Sequence, residues 1–226
     1  VLIFIPATAI AKISSPIIAH EFKLKRIVEI DKIYKKSSTN QLLLGGLIFI
    51  LLMVNIDSFF ELQRPEYKAG KFVLILLGGA RVITMLFGVA GPIIHISKFY
   101  RFDTITSIIL AFVTYLTNYI MIPIYGMEGA AFATMVSLSL FYCVRYVFIK
   151  KKIGIQPFTR NTLVVALILA GTFILGTYLP KIGNIYLDTM YRSIIVTSFM
   201  GGLTIYFEVS EEINRLFRKS LKKIGV

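Results

Sequence analysis

The sequence predicts an all-α protein, a polytopic transmembrane helical bundle, from its composition and the spacing of its apolar residues. Of the 226 residues, 56% are hydrophobic, and the mean hydropathy is +0.76. Soluble globular domains contain roughly 45 to 50% apolar residues. Runs of about 20 predominantly apolar residues, the length that crosses the hydrocarbon layer, recur along the chain between short polar breaks. A bilayer is therefore the predicted solvent.

The apolar runs define a partial first span and six complete spans. The partial span covers residues 1–19, and the complete spans cover residues 41–60, 72–94, 104–124, 127–149, 163–179 and 185–207. The last span carries Asp188 and Arg192 in its first turns, where an i,i+4 ion pair at the interface is tolerated. The chain begins with Val directly in apolar sequence and lacks the order of a signal peptide, which predicts a fragment of a longer protein.

The basic residues fall in alternate loops, which is the positive-inside pattern. Of the 25 Lys and Arg residues, 18 follow the first, third, fifth and seventh spans, five lie on the other side, and two lie inside spans. The larger set, which includes Arg145 and the basic tail at 208–226, predicts the cytoplasmic face and a cytoplasmic C-terminus. The net charge of +13 comes from basic residues that lie in alternate loops. This distribution indicates membrane topology and predicts no nucleic-acid partner.

Two polar segments, at 20–38 and in the tail, carry basic and apolar residues on separate helical stripes. This pattern predicts helices that lie on the cytoplasmic interface and attract anionic membrane lipids. The alternative is a dedicated site for a protein partner.

The titratable residues predict no catalytic site, no metal site and no cofactor. None of the 12 carboxylates and two histidines lies at mid-membrane, and no pair has the spacing of a metal site or an acid–base dyad. The glycine pairs at 78–79 and 88–91 do not follow a strand and lack the Gly-Lys-Ser/Thr of a phosphate-binding loop, so they predict close packing and a kink before Pro92. We therefore do not expect an enzyme.

Arg81 is the strongest candidate for a substrate contact. It lies near the middle of a predicted span, where an isolated cation costs several kcal/mol unless it meets a partner or water. Either Arg81 faces an aqueous cavity that attracts a phosphate or an acidic sugar, or it forms a buried tie to a neighbouring helix. Lys12, Asn55 and Asn118 are weaker candidates, because Lys12 can snorkel outward and the asparagines can bond across helices.

Small residues predict a tightly packed hairpin between the spans at 104–124 and 127–149. They follow Pro123 at helical spacing and form two rows: Gly126, Ala130 and Thr134, and Gly129, Ala133 and Ser137. Small side chains in such rows let neighbouring backbones approach closely.

A family resemblance rests on two runs, IPIYGMEGAAFAT at 122–134 and KKKIGIQPF at 150–158, with Arg145 between them. Together they resemble the late region of Wzx-type bacterial polysaccharide flippases, members of the multidrug/oligosaccharidyl-lipid/polysaccharide (MATE-like) exporter superfamily. The Ser-Ser-Pro at 14–16, the basic segment after it and the Pro-Glu-Tyr at 65–67 resemble the same family in the same order.

The resemblance implies the C-terminal lobe of a two-lobe transporter in the bacterial inner membrane, with the N-terminal lobe of the same protein as its partner. Such lobes enclose a central cavity that opens alternately to each side. Arg81 would contribute to a cationic cavity for an undecaprenyl-linked oligosaccharide, a repeat unit of O-antigen, capsule or exopolysaccharide. The alternatives are a multidrug or lipid II exporter of the same superfamily, a membrane glycan polymerase or acyltransferase, and a scaffold that recruits cytoplasmic enzymes.

Overall fold

The structure, a computed structural model, describes residues 2–64, 67, 70–210 and 214–215, and this part of the chain is helical without strands. The predicted all-α helical bundle is confirmed. In these described ranges, a 3-10 turn at Leu2–Phe4 precedes eight helices: α1 Ile5–Lys23, α2 Ile27–Val54, α3 Ile56–Glu61, α4 Lys71–Met85, α5 Ala90–Ile96, α6 Tyr100–Lys152, α7 Arg160–Tyr178 and α8 Ile185–Tyr206.

Several of these helices indicate a membrane protein. Within the described ranges, α2, α6 and α7 are long and apolar enough to cross a membrane, and α4 with α5 adds a fourth crossing if this bent pair is one span. The helices α1 and α8, which cover the predicted spans at 1–19 and 185–207, are not counted in this set. Most of the predicted tail, and positions 65–66 of the Pro-Glu-Tyr match, lie outside the described residues.

The long helix α6 is a hairpin, because Gly126 interrupts it with φ 57° and ψ −135°. Across the hairpin, the hydroxyls of Thr117 and Ser137 are 3.4 Å apart, and the rings of Phe102 and Phe148 stack with their centroids 3.6 Å apart. A straight helix would separate Thr117 from Ser137 by about 30 Å at 1.5 Å per residue. The two halves therefore run antiparallel, with the turn where the small residues predict close packing.

Helices α4 and α5 form a broken helix with a bend of 54°. The break contains Gly88 at φ 48°, and its backbone is satisfied by α2: Ser38 donates to the Leu86 carbonyl at 2.6 Å, and the Val89 N–H donates to Ser37 at 3.2 Å. Irregular backbone at membrane depth is tolerated only where protein or a cavity satisfies its polar groups. The two buried serines therefore account for the stability of a break inside one predicted span.

The predicted interfacial helix at 20–38 is wrong as a separate element. Its first residues end α1 at Lys23, and the rest forms the first turns of α2. The apolar stripe of this segment does not lie on a lipid surface, because Ile30 and Tyr34 are fully buried against α1, α5 and α6. Protein packing, rather than the interface, takes up the apolar face.

The core has two main clusters that meet along α2. One contains Ile30 and Tyr34 with residues of α1, α5 and the second half of α6, and the other contains Leu42, Ile50 and Val54 with residues of α7 and α8. Burying apolar surface away from water stabilises a fold by about 25 cal/mol per Å². Between helices in lipid, van der Waals packing provides the stabilisation instead. Helix α2 is thus the central helix of the bundle.

Candidate functional site

Arg81 lies on α4 and faces the space between α4 and the second half of α6. Its guanidinium carbon is 4.8 Å from the centre of the Phe4 ring, a cation–π contact worth about 0.5–1 kcal/mol when exposed. The side chain is exposed and lines a cavity of about 330 Å³ together with Thr134 and Leu138. Its guanidinium forms no ion pair with the carboxylates that the structure describes.

The other three predicted contacts lie in different places. Lys12 is exposed on α1. Asn55 is buried at the end of α2, where its amide donates to Ser193 at 3.2 Å and lines a cavity separate from that of Arg81. Asn118 lies in the first half of α6 and donates to a carbonyl one turn earlier at 2.8 Å. The structure therefore does not bring the four residues together in one cavity.

Arg145 is predicted as a cytoplasmic flanking charge, and in the structure its side chain is buried in the bundle. It is 8% exposed, and its Nη2 donates to Asp103 across the α6 hairpin. The guanidinium carbon lies 4.0 Å from the centre of the Phe141 ring, and His95 Nδ1 is 3.4 Å from the other Asp103 oxygen. A charge so deep in a bundle is stable only when paired, and the hairpin supplies the pair.

Sequence spacing contained a signal for this pair. Asp103 lies 23 residues before Gly126 and Arg145 lies 19 residues after it. Two positions at similar distances from the turn of an antiparallel hairpin lie side by side, so a turn at Gly126 predicts their contact.

A cavity of about 250 Å³ lies beside Arg145, at the break between α4 and α5. Gln41 of α2 also lines it, is 2% exposed, and makes no side-chain hydrogen bond to the described residues. Tyr142, on the wall next to Arg145, lies within electrostatic range of both Arg145 and Arg81. The two cations therefore flank one region of the bundle.

Asp188 and Arg192 form the predicted i,i+4 pair, with Arg192 Nε 3.1 Å from the carboxylate and both residues 5% exposed. Arg192 also donates to the carbonyls of Val54 at 3.2 Å and Leu179 at 2.9 Å, at the ends of α2 and α7. The Ile182 N–H donates to Asp188 at 2.8 Å. A cation at helix C-termini satisfies their last carbonyls, so this pair ties three helices together.

A second, exposed ion group lies near the same ends of these helices. Asp57 accepts from Lys71 at 2.6 Å and from Lys181 at 2.9 Å. The hydrogen bond to Asp57 raises the pKa of Lys181, in the loop between α7 and α8, above its ordinary value. Exposed pairs of this kind contribute little to stability, because water and salt screen the charges.

The comparisons with known proteins identify no relative of this chain. No family model matches it, and neither does any curated protein or solved structure. In the part of the chain that the structure describes, no group of three or more His, Cys, Asp or Glu side chains is placed to hold a metal ion. The likeness to Wzx-type flippases remains a prediction from the sequence.

Proposed function

We propose that this chain is the C-terminal lobe of a bacterial inner-membrane flippase that translocates an undecaprenyl-linked oligosaccharide. The observation that supports this most is the Arg81 guanidinium, which faces a cavity between two apolar helices and meets no carboxylate among the described residues. In a membrane such a charge is stable only next to water or an anion. The phosphates of a lipid-linked glycan are anions of that kind.

The proposed mechanism involves movement without covalent chemistry. Arg81 and Thr134, which line the same cavity, contact the polar headgroup while the polyprenyl tail remains in lipid. The first half of α6 packs on the second half and exposes Phe112, Tyr115 and Tyr119 by more than 60%, which leaves an apolar face that is compatible with a second lobe. A second lobe or lipid covers such a face in a membrane. Rocking of the lobes then exposes the cavity to each side in turn.

The test is glycan export by the full-length protein in a strain that lacks its own copy. Arg81→Ala and Arg81→Glu are expected to reduce surface O-antigen or capsule at least tenfold, with the acidic variant the more severe, because the cavity loses its attraction for phosphate. Arg101→Ala, which removes an exposed Arg at the start of α6, is the matched control and is expected to export normally. Normal export by both Arg81 variants at normal protein levels would contradict the proposed function.

A further inference from the structure

We propose that the cavity beside Arg145 is a binding site for an oxyanion of the phosphate class. This site would belong to the proposed flippase, and the choice of a diphosphate as its ligand rests on that proposed function. The site lies inside the lobe, at the α4–α5 break, and on the predicted cytoplasmic side of Arg81. It takes the anion before or after Arg81 does in the proposed transport path.

The Arg145 guanidinium has donors that no acceptor uses among the described residues. Asp103 accepts from Nη2, whereas Nε is buried without a partner among the described residues. A Cβ added to Gly91 on the cavity wall would lie 3.2 Å from Nη1, so this end of the guanidinium reaches the cavity. A buried donor without an acceptor costs about 1–3 kcal/mol, and more when the group is charged. An oxyanion in the cavity supplies an acceptor to the Nη1 end of the guanidinium.

Gln41, on α2, contributes a second polar side chain to the cavity wall. Gln41 is 2% exposed, and its amide makes no side-chain hydrogen bond within the described ranges. An amide is not retained in such an environment without cost unless something in the cavity pairs with it. Arg145 and Gln41 belong to different helices, so a ligand that forms hydrogen bonds to both contacts α6 and α2 at once.

The cavity beside Arg145 is large enough for a diphosphate group. The cavity has a volume of about 250 Å³, and Gly88 and Gly91 at the helix break form part of its wall. Liquid water occupies about 30 Å³ per molecule, so the space holds several waters or one diphosphate group. Discontinuous helices form the substrate sites of many transporters because their irregular backbone is kept next to a polar cavity.

Asp103 gives the site a charge balance that can be tested. Its carboxylate neutralises the Arg145 guanidinium, and His95 and Tyr142 are further titratable groups close to this pair. An incoming anion therefore shares the guanidinium with Asp103. Replacing the carboxylate with an amide of the same shape leaves the cation unopposed and strengthens binding.

The experiment measures binding of inorganic pyrophosphate and of farnesyl diphosphate to the purified protein in detergent. Gln41→Met, which removes the amide at nearly constant volume, is expected to raise the Kd about tenfold, the effect of one lost hydrogen bond to a charged group. Asp103→Asn is expected to lower the Kd severalfold. Thr172→Val is the control, because this fully buried hydroxyl lies on α7 and bonds only within its own helix.

A cavity that holds only water predicts no binding of either probe, or equal Kd values for Gln41→Met and the wild type, and either result overturns the proposal. The expected gain of affinity in Asp103→Asn cannot arise from misfolding, so a folding defect in Gln41→Met leaves the proposal testable. Tighter binding of farnesyl diphosphate than of pyrophosphate indicates a lipid-linked ligand. Equal binding of the two probes supports an oxyanion site but contradicts a lipid-linked ligand. Binding is measured without transport, so normal export by the Arg81 variants, which would contradict the proposed function, leaves the binding result standing.

Discussion

At the scale of single residues, two buried Arg–Asp pairs differ in how far the sequence revealed them. Asp188 and Arg192 are one helical turn apart, so the spacing alone predicts their contact. Asp103 and Arg145 are 42 positions apart and meet only because the α6 hairpin folds them together. Basic residues near predicted span ends are counted as flanking charges, and that count does not reveal that the Arg145 side chain is buried. The position of a charge in a bundle depends on its partner as well as on local hydropathy.

The pair at Arg192 is expected to contribute strongly to stability. Arg192→Gln leaves Asp188 buried and without its cation, which typically costs about 3–5 kcal/mol. Unfolding by SDS titration, followed by circular dichroism because the chain has no Trp, measures this loss. Lys181→Gln breaks one contact of the exposed Asp57 group and is expected to change stability far less than Arg192→Gln does. Equal losses in the two variants would contradict the structural role of Arg192.

At the scale of helices, the sequence predicted the hairpin better than it predicted α2. Rows of small residues around Gly126 indicated a close turn, and the structure has one there. A Cβ on Gly129 would lie only 2.4 Å from the Met121 carbonyl oxygen, so the glycine is required by packing. In contrast, basic residues in the first turns of α2 suggested an interfacial helix, because amphipathic patterns do not distinguish a lipid surface from a protein neighbour.

The backbone at Gly126 provides the test at this scale. Its φ of 57° with ψ of −135° strongly favours glycine, so Gly126→Ala is expected to destabilise the protein by about 1–3 kcal/mol. No atom lies within 4 Å of the added Cβ, so conformational strain alone causes the loss. Gly171→Ala has the same open space in the regular helix α7 and is expected to be neutral or to stabilise by up to about 1 kcal/mol. The SDS titration with circular dichroism measures both variants, and equal effects would contradict a turn at Gly126.

At the scale of the whole molecule, composition and span length predicted the fold class, because a chain this apolar has few solutions other than a helical bundle in lipid. The cavity beside Arg145 was not predictable in the same way. It depends on the break between α4 and α5, on the position of Gln41 in α2 and on the hairpin, and these features combine only in the folded chain. Predicted orientation rests on charge alone and needs its own measurement.

Cysteine labelling tests the orientation. In a Cys143→Ser background, Tyr125→Cys at the hairpin turn is predicted to react with a membrane-impermeant maleimide added to intact cells. Lys152→Cys, at the opposite end of the hairpin, is expected to react only after the cells are opened. Both positions are exposed, so the difference reports the side of the membrane and not burial. Reversed labelling would contradict the cytoplasmic C-terminus.

The uninterrupted course of α2 couples the two faces of the lobe mechanically. At 1.5 Å per residue, its 28 residues form a rod about 40 Å long. One end is held by Ile30 and Tyr34 and the other by Ile50 and Val54, in two different core clusters. A continuous helix kinks sharply only where its hydrogen-bond ladder is interrupted, so a displacement at one end is transmitted to the other. The two clusters are thus expected to move and unfold as one cooperative unit.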